Sequence, residues 1–218
     1  MTGLDAILDC AFGRWSPRIG DPTAVGWVTV AASALVAALA LGLASGRARG
    51  RGAGVERAFW ALAALYLAGL AVNKQLDLQT LITDIGRCAA RAQGWYGMRR
   101  TVQVEAILAL IGASLLAGLM ALWLLRRTLR RTFPALLGLV AITAYVLARA
   151  VGFHHMDRLI SARLAGLRVN WLFELGAIGL FLLGALWAVA GRRRARESQE
   201  GAWREAGEET RKEAGGRG

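Results

Sequence analysis

Two histidines and an aspartate stand together in "FHHMD", Phe153 to Asp157. On a helix His154 and Asp157 share a face, while His155 points about 100° away. A histidine and a carboxylate three residues apart can hold one metal ion, as the Glu-x-x-His pairs of di-iron bundles do. Zinc, manganese or iron would accept such a mixed set, and Glu174 would complete a metal group of His154, Asp157 and Glu174. With Asp77 and Asp84 added, the same residues form a candidate catalytic set of Asp77, Asp84, His154, Asp157 and Glu174. Burial would shift their pKa values towards acid and base work. Lys74, Arg87 and Arg149 are the candidate ligand-binding cations, suited to a lipid phosphate or a carboxylate. The plainer alternative is that the histidines are interfacial and hydrogen-bonded to neighbours, with no metal.

The elements that must position these residues are membrane helices. Hydrophobic residues make up 56% of 218, with a mean hydropathy of +0.41, above the soluble norm. Segments 22–46, 58–73, 106–125, 132–148 and 175–191 contain no acidic or basic side chain. A span needs about 20 mostly apolar residues; the first and third reach that length and the other three fall short. The expected fold is an all-α polytopic bundle of five transmembrane spans. Residues 1–23 form an N-terminal segment outside, 24–194 the five-helix domain, and 195–218 a charged, disordered cytoplasmic tail.

Compact arginine groups lie between spans one and two (Arg47, Arg49, Arg51, Arg57), between three and four (Arg126, Arg127, Arg130, Arg131), and after five (Arg192, Arg193, Arg194, Arg196). That pattern marks cytoplasmic loops, so the N-terminus is expected outside and the C-terminus inside. The net charge of +12 is then a by-product of this asymmetry, with anionic lipid as its natural contact. No basic and aromatic interleaving or nucleic-acid module is present. The expected partners are membrane lipids and a membrane protein, with no nucleic acid.

The short spans carry positional information. Lys74 lies about 26 Å along a helix from Arg57, Arg149 about 27 Å from Arg131, and Glu174 about 27 Å from Arg192. The hydrocarbon layer is about 30 Å thick, so three charges on three helices reach one depth near the outer boundary. Charges there are costly unless they face each other or water. The expectation is that Lys74, Arg149 and Glu174 point inward, with Glu174 paired to a cation. Snorkelling of the long cations and capping of a helix N-terminus by Glu174 are the alternative.

From Asn73 to Arg91 the polar residues Asn73, Asp77, Thr80, Asp84, Arg87 and Arg91 step by threes and fours. That spacing predicts an amphipathic helix extending the second span or lying across the outer surface, with Asp84 and Arg87 close enough to pair. "GWYGMRR", Gly94 to Arg100, then reads as an interfacial turn. The N-terminus, acidic where a basic region belongs, does not read as a signal peptide. Cys10 and Cys88 fall on the same expected side, where a disulfide is allowed, but free structural thiols are the expectation. "RAFWAL" at Arg57 and "RTFPAL" at Arg131 echo each other faintly. No G-x-S-x-G, phosphate loop or dinucleotide fingerprint is present.

"VNKQLDLQ", Val72 to Gln79, and "FHHMD" resemble segments of uncharacterised bacterial five-span inner-membrane proteins. The resemblance runs from the second span to the fifth. It implies a five-span architecture in a bacterial inner membrane and no activity. Two readings follow from the residues. In one, the polar cluster near the outer face is a pocket for a divalent metal or an anionic, lipid-like ligand. In the other, it is an ion-pair network inside a non-catalytic scaffold or accessory subunit. A transporter is a third, weakened by the small number of spans.

Overall fold

The computed structural model describes residues 3–16, 19–46, 52–151, 163–164 and 167–215. They form α1 (Gly3–Phe12), α2 (Ala24–Ser45), α3 (Ala53–Leu76), α4 (Leu78–Ala92), a 3-10 turn at Tyr96–Met98, α5 (Arg99–Leu125), α6 (Leu129–Val151) and α7 (Val169–Gly215). A two-residue antiparallel pairing joins Arg163–Leu164 to Leu167–Arg168. The protein is an all-α bundle in which α2, α3, α5, α6 and α7 are long and apolar enough to cross a membrane.

Local chemistry sets the helix ends. The Thr23 hydroxyl accepts from the Gly26 N–H at 3.1 Å and caps α2, satisfying one of the first-turn donors. Helix α3 starts at Gly52, whose φ of 91° a residue with a Cβ adopts only at a cost. It stops at Asp77, which takes φ 48° and so breaks the helix; aspartate visits this left-handed region more readily than most residues. The break separates α3 from α4, and α4 packs against α1 instead of continuing the span. Of the two arrangements expected for the amphipathic helix, continuation of the span is not the one observed: α4 is a distinct helix joined to α3 at Asp77.

Two close helix pairs make the body of the bundle: α2 with α3, and α6 with α7. Helix α2 also touches α7, and α5 lies outside, against α6 and slightly against α3. The residues of α5 are mostly exposed along its apolar length, the surface a helix presents to lipid. Gly138 of α6 and Gly184 of α7 allow the closest approach. A Cβ on Gly138 would collide with the Phe181 backbone, and one on Gly184 with the Ala135 backbone. Small residues at such crossings are how membrane helices pack without a hydrophobic driving force. The core between the two pairs centres on Trp60 and Phe181, both fully buried, with ring centroids 5.9 Å apart and edges meeting faces.

Helix α7 does not end with the apolar stretch. It continues through the charged tail to Gly215, where the sequence suggested disorder. The tail is rich in Ala, Glu and Arg, which favour helix, and Arg196 pairs with Glu200 one turn on at 2.9 Å. Such pairs each add a few tenths of a kcal/mol, and together with propensity they carry the helix outward.

Candidate functional site

Lys74 occupies the last turn of α3 and Glu174 the second turn of α7. The Lys74 ammonium donates to both carboxylate oxygens of Glu174, at 2.9 and 2.8 Å. The side chains are only 14% and 13% exposed, so the pair is largely out of water, and each charge depends on the other. This is the inward pairing that the depth count leads one to expect, across 100 residues of sequence.

A third charge enters from the segment before α2. The Gly20 N–H donates to the Gln75 carbonyl at 2.8 Å. A Cβ on Gly20 would stand 2.9 Å from the Lys74 carbonyl, so only glycine lets the chain run this close to the end of α3. Asp21 is thereby placed with one oxygen 3.6 Å from the Lys74 ammonium. Its other oxygen accepts from the Thr23 hydroxyl at 2.6 Å and the Thr23 N–H at 3.3 Å. Partial burial alone would raise the Asp21 pKa, but the Thr23 hydrogen bonds and the Lys74 charge outweigh it and hold the carboxyl below its ordinary value. From α6, the Tyr145 hydroxyl donates to Asn170 Oδ1 at 2.6 Å and lies 3.4 Å from Glu174 Oε2.

These groups surround a cleft of about 430 Å³ between α2, α3, α6 and α7. Asp21, Lys74, Asp77, Tyr145, Asn170 and Glu174 supply polar groups, the buried Thr29 and Ser33 line it from α2, and Leu67, Ile142 and Ile178 supply apolar wall. Of the described charged side chains that line it, three are carboxylates and one is an ammonium.

The other residues singled out from the sequence are distributed differently. Asp77 lines the cleft and accepts from the Thr80 hydroxyl at 2.6 Å. Asp84 and Arg87 pair at 3.3 Å as their spacing suggests. That pair sits on α4 and does not line the cleft, so neither residue joins the Lys74 group. Asp84 is buried, and Arg87 is largely exposed. His154 and Asp157 lie outside the described residues, as does the side chain of Arg149. Among the described residues no group of three or more His, Cys, Asp or Glu side chains could hold a metal ion.

The cysteines correct the expectation of free thiols. Cys10 of α1 and Cys88 of α4 form a disulfide, with Cα atoms 6.1 Å apart. The bend at Asp77 is the physical reason, because it turns α4 so that Cys88 meets α1. Cys88 and Ala11 are both buried in this contact.

A second ion pair closes the opposite end of the bundle and was not anticipated. Glu56, 3% exposed, accepts from Arg192 at 2.8 Å. It also accepts from the Trp60 indole at 3.4 Å. Arg192 further donates to the Leu43 carbonyl of α2 at 2.7 Å. The signal was present in the spacing. Glu56 and Lys74 are 18 residues apart on α3, as are Glu174 and Arg192 on α7. Eighteen residues make about five turns, so each helix shows two charges of opposite sign on one face. Run antiparallel, the two faces match at both ends. Comparison with known proteins returned no matching family model, curated protein or solved structure.

Proposed function

We propose that this integral membrane protein is a binding protein whose cleft around Lys74 takes a small ligand bearing a cationic group, such as an amine. The observation that carries this reading is the charge balance of the described residues in the cleft: Asp21, Asp77 and Glu174 against Lys74. Among the described residues, the cations expected to hold an anionic, lipid-like ligand are already engaged. Lys74 is already held by Glu174, and Arg87 lies off the cleft with Asp84. An incoming ammonium would exchange with Lys74 for the carboxylates. Tyr145 and Trp171 in the wall offer aromatic faces, which attract cations. The arginine groups support an orientation with this cleft on the outer side, and the resemblance noted above supports a bacterial inner membrane.

The test uses the full chain in nanodiscs with a panel of small primary and quaternary amines, and with carboxylates of the same size as controls. Amines should raise the unfolding temperature and carboxylates should not. Asp21→Asn should weaken the effect by about tenfold, the loss of one charge-assisted contact. Stabilisation by carboxylates alone would sink the proposal.

A second reading rests on a different observation, the matched pair Glu56–Arg192 at the far end. Two bridges between the same two helices support a scaffold or accessory subunit for a membrane partner, with the cleft as a by-product of the packing.

A further inference from the structure

At the end of the bundle opposite Lys74, the turn from α5 to α6 carries Arg126, Arg127, Arg130 and Arg131. All four are exposed, and none has an ion-pair partner among the described residues. They line a cleft of about 950 Å³ that also takes in Phe133 of α6 and Trp187 of α7. Among the described residues the carboxylate in the wall is Glu56, already neutralised by Arg192 at 2.8 Å. The turn itself is braced, since the Thr128 hydroxyl donates to the Leu125 carbonyl at 3.3 Å, and it lies so near Gly52 that a Cβ there would stand 3.3 Å from the Thr128 methyl.

The polarity of this cleft changes with depth. Trp187 lies five residues before Arg192, about 8 Å further into the apolar stretch. Trp187 and Phe133 are 63% and 48% exposed. Guanidinium groups without an ion-pair partner among the described residues therefore stand at the rim, with the Phe133 ring about 3 Å beyond Arg131 and the Trp187 ring about 8 Å beyond Arg192. A phospholipid has the same profile, with a charged phosphate above an acyl chain. Guanidinium groups bind phosphate oxygens bidentately, and basic pockets between membrane helices take anionic headgroups.

We propose that this cleft is a binding site for an anionic phospholipid of the surrounding leaflet, its phosphate held by Arg127, Arg130 and Arg131 and its chain lying against Phe133 and Trp187. The site is separate from the Lys74 cleft and does not depend on what that cleft binds.

The experiment is native mass spectrometry of the full chain released from nanodiscs of phosphatidylglycerol mixed with phosphatidylcholine. Arg130→Gln with Arg131→Gln is compared with a control double variant, Arg193→Gln with Arg194→Gln, which lies on the exposed tail. Phosphatidylglycerol should be retained over phosphatidylcholine, and the Arg130/Arg131 variant should lose that preference by about tenfold or more. The control variant should keep it, and both should unfold at the parent temperature in detergent. Equal losses in the two variants would mean general attraction to basic ends and would overturn the site. So would equal retention of the two lipids. Displacement of the lipid by millimolar inorganic phosphate, with no requirement for an acyl chain, would overturn the lipid in favour of a free anion.

Discussion

Asp21 shows how much of the cleft's chemistry sits on one small side chain. Its depressed pKa means that the unfolded chain takes up its proton before the folded one does. Its stabilising contribution is therefore complete above the ordinary carboxylate value of about 3.9 and is lost as pH falls through the lower folded value. Thermal unfolding of the full chain in detergent should show an acid limb that is shallower in Asp21→Asn than in the parent. Identical limbs would mean that Thr23 and Lys74 do not single out the charged form. Lys74 and Glu174 are legible in the sequence because depth can be counted from the arginine at the other end of the same helix. Asp21 is not, because it reaches Lys74 only through the glycine at position 20 and its backbone hydrogen bond to Gln75. Such a contact leaves no period in the sequence.

Helices were legible where apolar runs are long, and less so where direction depends on one dihedral. The polar stripe from Asn73 to Arg91 reads correctly as helical, but its periodicity runs straight through Asp77 and conceals the bend. The disulfide was missed for the same reason, since its formation depends on where α4 points. Helix α1 has ten residues, too few to be stable alone in water, and its main packing partner is α4. Replacing Cys10 and Cys88 with serine should therefore speed hydrogen exchange of the α1 amides by at least about tenfold. The amides of α2, α3, α6 and α7 should keep their protection. An unchanged α1 would show that the burial of Ala11 against α4 holds the helix without the covalent link.

Across the whole molecule, spans two and five are bridged at both ends although their backbones are not close neighbours. Removing one partner of a buried pair leaves an uncompensated charge and costs about 3 kcal/mol, so Glu174→Gln and Glu56→Gln should each destabilise by roughly that amount. If the bridges act through one rigid helix, the double variant should cost less than the sum by about 1 kcal/mol. Strict additivity in a double-mutant cycle would show two independent local contacts. The far bridge is hard to read from the sequence because Arg192 sits in a run of arginines whose pattern needs no partner. On α7 the two charges share an azimuth five turns apart, so a small roll of that rod swings both away together. Beyond Arg192 the rod continues for another 23 residues, a lever about 35 Å long. Whatever rolls α7 and parts Lys74 from Glu174 at one end would thus also turn the charged faces of this extension at the other.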